Sequence, residues 1–155
     1  MKTINERETM KTYIGTKIIQ AKPMTRLEYN DFRHWLLPSD ENGADEGYLV
    51  EYMDGGKSNV EGYAGYVSWS PKAQFDAAYI EIGDVSGIPA HQQRVVAEKA
   101  ALDKKAIDLS NFIGNNPFFE NLDLVERERL KLQHHFMSYY SIVLGERIAA
   151  FGVKV

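Results

Sequence analysis

Two arginines near the end of the chain, Arg129 and Arg147, occupy positions where a helical wheel puts apolar side chains. Both project at nearly the same angle, inside the apolar arc of their segment, rather than on the polar face with Arg127, Lys131 and Glu146. A guanidinium held among apolar neighbours has to be paired, either by a carboxylate such as Glu98 or Glu126 or by an anionic ligand. The two lie about 27 Å apart along one helix, so they cannot share a site within one chain. In an antiparallel dimer, arginines of opposite chains would meet. A second concentration of binding chemistry is Asn111-Phe112-Ile113-Gly114-Asn115-Asn116-Pro117-Phe118-Phe119, with three phenylalanines and three amides where the chain reverses. Phe112, Phe118 and Phe119 can stack on a base, and Asn115 and Asn116 can read a base edge through paired donor and acceptor groups. The same residues also suit a hydrophobic plug closing a helical hairpin. Arg94 and Tyr140 complete this candidate ligand set, together with Trp69, although a tryptophan in such a strand is more often sheet core than a stacking platform.

Support for catalysis is lacking. There is no cysteine, hence no thiolate nucleophile and no zinc-thiolate site. No G-x-S-x-G, H-E-x-x-H, P-loop or G-x-G-x-x-G occurs, and Ser70 has no neighbouring histidine to suggest a triad. His134 and His135 point about 100° apart on a helix, which is poor geometry for one metal ion. The acidic run Ser39 to Gly47 lacks the order of a calcium loop and reads as a solvated loop. These features predict a protein that is not an enzyme, with no cofactor and no bound metal.

The chain has 155 residues, 44% hydrophobic and 26% charged, with a formal charge of −4. That suits one domain or two small fused modules, and the charge argues against a nucleic-acid polymer as partner. No run approaches the roughly 18 apolar residues of a membrane span. A cytoplasmic protein without membrane contact is expected.

The elements that would hold these residues fall into two groups. Residues 1 to 9 read as a polar tail, since Met10-Lys11-Thr12 repeats Met1-Lys2-Thr3. Tyr13 to Ala21 reads as a strand. Thr25-Arg26-Leu27-Glu28 has capping-box spacing, which predicts a helix to about Leu36. Tyr48 to Met53 and Tyr63 to Trp69 read as an antiparallel pair, and Ser70-Pro71 starts a short helix to about Tyr79. Gly83 to Gly87 is the linker. From Pro89 to Ile113 a helix carries one stripe of Val95, Leu102, Leu109 and Ile113 and a second of Val96, Ala100 and Ile107. Asp123 caps another helix running to about Phe151, whose apolar arc holds Val125, Leu132, Phe136, Tyr140 and Val143, with Leu130, Met137, Leu144 and Phe151 beside it every seven residues. That arc is about 140° wide, more than one antiparallel neighbour covers, so a homo-oligomer is expected, a dimer or a hexamer. The expected fold is α+β: a small antiparallel β-sheet module with short helices over residues 10–82, then a long antiparallel two-helix hairpin over 88–152 that oligomerises.

The segments YIGTKIIQAKPMTRLEYNDFR, DENGADEGYLVEYMDGG and GYVSWSP resemble a family of small tailed-phage proteins of obscure role. The segment HQQRVVAEKAALDKKAIDLSNFI, then FFENL and the helix ending LGERIAAF, resembles the hairpin of phage anti-CBASS and anti-Thoeris nucleotide sponges. This resemblance implies a phage protein of the host cytoplasm that captures a small nucleotide second messenger, cyclic ADP-ribose-type or a cyclic oligonucleotide, without cleaving it. The alternative is an accessory protein that binds a host protein through exposed apolar helix faces; a nucleotide-processing enzyme is a third reading.

Overall fold

A computed structural model describes residues 10–152, and its chain divides into two units, one ending at Phe75 and the other starting at Asp76. In the first unit, β1 (Ile19–Pro23), β2 (Gly47–Tyr52) and β3 (Tyr66–Pro71) form an antiparallel sheet in that spatial order. Helix α1 (Arg26–Phe32) follows β1, and α2 (Lys72–Ala78) follows β3 across the unit boundary. The core gathers Tyr29 of α1 with Leu49 and Val67 of the sheet, flanked by Met24, Phe32, Val60, Tyr63 and Trp69.

The capping box at Thr25 forms as its spacing predicts: Glu28 N–H donates to the Thr25 hydroxyl, and Thr25 N–H donates to the Glu28 carboxylate at 2.8 Å. The helix is shorter than expected. It stops at Phe32 rather than Leu36, because His34 turns into the left-handed region (φ 57°) and Trp35 folds back edge-on to Tyr29. The first strand also differs, starting at Ile19 rather than Tyr13. Ladder pairing sets that limit: Ile19 pairs with Tyr52, the last residue of β2, so earlier residues have no strand beside them and Ile14 is 91% exposed. β3 is displaced toward Pro71, leaving Tyr63 to pack in the core.

Two polar side chains fix the edges of this sheet. Asn59 reads the backbone of Val67 as a strand would, accepting from its N–H at 2.7 Å and donating to its carbonyl at 2.8 Å, which occupies the outer edge of β3. The buried Glu51 carboxylate accepts from Gly65 N–H at 3.0 Å. Gly65 has no room for a side chain, since a Cβ there would strike the Tyr52 carbonyl. The acidic loop is also used internally: Glu41 takes a two-pronged pair of bonds from Arg26 at 2.7 and 2.8 Å.

In the second unit, α3 (Ala90–Asn115) and α4 (Leu124–Phe151) form a helical hairpin joined by a 3-10 turn, Pro117–Asn121. Asp123 caps α4 through Glu126 N–H at 3.0 Å, as its position predicts. Of the two stripes on α3, the one with Val95, Leu102 and Leu109 is the more enclosed, whereas Ile107 of the other is exposed. On α4 the two sets of apolar positions are buried unequally. Leu144 is fully buried, with Leu130, Met137 and Phe151 half-buried at the same seven-residue repeat, while Val125, Leu132, Phe136 and Val143 are exposed. The cause lies in the polar partners on the seam. Ser141 donates to Asp103, which also holds Lys99 at 2.6 Å, and Tyr140 donates to Glu98. Those bonds flank the seven-residue stripe on the seam, so that of the wider arc Tyr140 reaches α3 while Val125, Leu132, Phe136 and Val143 face away.

Truncating Leu144 to alanine should cost about 2–5 kcal/mol, as for other enclosed leucines, read as a lower urea midpoint with unchanged slope. Hydrogen bonds from Lys99 first and Ser141 second hold the Asp103 carboxyl below its ordinary value. Its folded value is depressed, so its contribution is present above the ordinary carboxylate range and lost as pH falls through the folded value. An acid titration of thermal stability should therefore lose this increment in the wild type, and Asp103→Asn should flatten that part of the profile.

Candidate ligand-binding site

At the tip of the hairpin the sequence stops α3 and restarts the chain within a few residues. Asn116 adopts an extended conformation, its side-chain oxygen accepts from Phe118 N–H at 3.0 Å, and Pro117 opens the 3-10 turn. Phe119 is thereby driven inward to 4% exposure and meets Phe112 edge-on at 6.0 Å. These two rings form the plug. Phe118 faces the other way, 70% exposed, beside the exposed Asn115 amide.

This leaves an open cleft of about 580 Å³ whose walls include Asp108, Asn111, Asn115, Pro117 and Phe118. Asp108, Asn111 and Asn115 are spaced by three and four residues, so they share one face of α3. Of the tip residues named from the sequence, Phe112 and Phe119 serve packing and Asn116 serves the turn, while Asn115 and Phe118 keep free surfaces. Asn111 belongs to the amide-rich segment noted in the sequence; Asp108 had not been singled out, although its helical spacing from Asn111 and Asn115 carried the signal.

The arginines are placed differently from expectation. Arg129 is 69% exposed and donates to Glu126 at 3.0 Å, and Arg147 is exposed as well. They are not buried within one chain, because the arc that carries them is the one α4 turns away from α3. Arg127, expected on the polar face, is instead the enclosed one: its side chain is 23% exposed and pairs with Glu120 at 2.8 Å. Arg129 lines a small apolar depression of about 380 Å³ with Leu124, Val125, Glu128 and Leu132. Contacts of Glu98 with Tyr140 and of Asp103 with Ser141 put Arg147 and the exposed Arg94 in the open-end half of the hairpin, and Arg129 in the tip half. The Glu98 hydrogen bond raises the Tyr140 hydroxyl above its ordinary value, and the positive charge of Arg147 partly opposes this.

Trp69 belongs to the first unit. Its indole N–H donates to the Met24 carbonyl at 2.8 Å, and Arg26 lies over its ring at 5.0 Å. Its polar atom and one ring face are thus used within the module. Among the described residues no group of three or more His, Asp or Glu is arranged to hold a metal ion, and no helix is long and apolar enough to cross a membrane.

No curated protein and no solved structure matches the chain. Residues 89–150, which contain nearly all of α3, the 3-10 turn and nearly all of α4, match the model of the family described as Sequestin. The match covers less than half of the chain, so it is the hairpin that is similar to Sequestin, a name that fits a protein that sequesters its ligand.

Proposed function

We propose that the hairpin captures a nucleotide immune signal, of the cyclic ADP-ribose or cyclic oligonucleotide type, and holds it without cleavage, as a phage counter-defence protein in the host cytoplasm. The observation that carries this reading is the Sequestin match over residues 89–150. Local chemistry supports it: a cleft with an exposed ring and amides at the tip, and two exposed arginines on an apolar face. Rings supply stacking, amides read base edges and guanidiniums take phosphates.

A homo-oligomer completes the sites. The exposed stripe Val125, Leu132, Phe136 and Val143 is covered by the same stripe of a second copy. In an antiparallel pairing Leu132 lies level with Val143 and Phe136 with Tyr139, and Arg129 of one copy comes beside Arg147 of the other. Two guanidiniums in proximity repel unless an anion bridges them, so a phosphate between them stabilises both the ligand and the assembly. The same exposed stripe favours a second reading, that a host protein docks there without any small ligand.

Incubation of the purified protein with cyclic dinucleotides, cyclic trinucleotides and cyclic ADP-ribose isomers, followed by filtration and heat denaturation, should return one of them intact by mass spectrometry. A degraded product would identify an enzyme, and absence of capture across the panel would overturn the proposal. Arg129→Ala or Arg147→Ala should weaken capture at least about tenfold, the scale of one lost charge-assisted bond, with melting unchanged in the absence of ligand. Leu132→Glu with Phe136→Glu should reduce the assembly to monomers in light scattering; a monomeric wild type at micromolar concentration would remove the second copy from the account.

A further inference from the structure

We infer that residues 13–18 and β1 form one continuous strand when two copies of the chain pair along it, antiparallel about Thr16. β1 is an edge strand of the sheet. The opposite edge, on β3, is occupied by the Asn59 side chain, whereas no strand lies on the outer side of β1 among the described residues. An edge in this state is a row of backbone donors and acceptors on which a further strand can form. The contact belongs to the first unit and does not depend on what the hairpin binds.

Residues 13–18 have the composition of a strand, with one tyrosine, two isoleucines and a threonine, yet the ladder stops at Ile19 because β2 ends at Tyr52. Tyr13 is 84% exposed and Ile14 91%. The alternation of β1 continues into this segment: the ammonium of Lys17, two residues before Ile19, lies 4.9 Å from the ring of Tyr52, the ladder partner of Ile19. What the segment lacks is a neighbouring strand.

The neighbour is the same segment of a second copy, because its sequence complements itself about Thr16. That register sets Tyr13 against Ile19, Ile14 against Ile18 and Thr16 against Thr16. Aromatic with β-branched and threonine with threonine are among the cross-strand pairs that stabilise a sheet. Lys17 meets Gly15, Lys11 meets Ala21 and Lys22 meets Met10, so no lysine faces another. Centring the pair on Lys17 would oppose like charges, and centring it on Ile18 would set Ile14 against Lys22 and Tyr13 against Pro23. Pro23, which has no N–H, falls beyond the residues paired about Thr16. A single strand pair is smaller than a stable dimer interface, so its Kd is of the order of 0.1–1 mM and the contact is sparsely populated at micromolar concentration.

The chain has no cysteine, so introduced cysteines report the pairing by disulfide trapping. The test uses full-length protein at about 0.5 mM under mild oxidation, carrying Leu132→Glu and Phe136→Glu to remove the hairpin contact. Thr16→Cys should be linked into dimers on a non-reducing gel, since directly opposed residues have Cα atoms about 4.5–5.5 Å apart. Thr12→Cys should yield at least about fivefold less, because it faces Gln20 and stands about 26 Å from its own counterpart. Adding Gln20→Cys to Thr12→Cys should restore the link. Ile14→Asp should cut trapping through Thr16→Cys at least about fivefold with an unchanged urea midpoint, Ile14 being 91% exposed. Failure of Thr16→Cys to link, linkage as strong from Thr12→Cys alone, or linkage that survives Ile14→Asp each overturns the pairing, and none of these outcomes bears on nucleotide capture.

Discussion

The hairpin depends on a seam that uses one of the two apolar stripes on α4. Leu144 is fully buried there, and the bonds from Tyr140 to Glu98 and from Ser141 to Asp103 set the rotation of α4 about its own axis. A helix has one rotational setting at a time. Choosing the seven-residue stripe for the seam leaves Val125, Leu132, Phe136 and Val143 exposed together. Apolar area left contiguous on one helix is a driving force for association, since each exposed group gains free energy when removed from water. The exposure of Arg129 and Arg147 follows from the same rotation, because they share that face.

The tip shows a comparable division among chemically similar residues. Phe119 is buried and Phe118 is exposed although they are adjacent, because the 3-10 turn points consecutive side chains in different directions. Asn116 is consumed by the turn and Asn115 is not. Packing and recognition thus draw on one short, amide- and phenylalanine-rich segment, and the backbone assigns each residue to one task.

The first unit is stabilised by its own core of Tyr29, Leu49 and Val67, and by polar groups whose partners are within it. Arg26 is held by Glu41 and lies over Trp69, Glu51 holds Gly65, and Asn59 closes the edge of β3. These contacts leave Trp69 committed to structure, with its ring and N–H both engaged.

Local signals in the sequence were sufficient wherever the determinant is local. The Thr25 capping box and the Asp123 cap each depend on residues within one helical turn, and both formed where the spacing put them. The two long helices and the break at Gly114 to Pro117 were legible for the same reason. Strand limits were not, because β1 extends only as far as β2 offers a partner. The inward placement of Arg127 and the outward placement of Arg129 were also beyond a wheel. Periodicity shows that a helix has two apolar stripes, but which of them is buried depends on the hydrogen bonds available from the opposite helix. The two long helices, the caps and the concentration of stacking and amide groups at the tip follow from neighbouring residues alone. Which stripe is buried and which phenylalanine is free came from the folded chain, since each depends on contacts between residues distant along the chain or on the direction in which the backbone turns them.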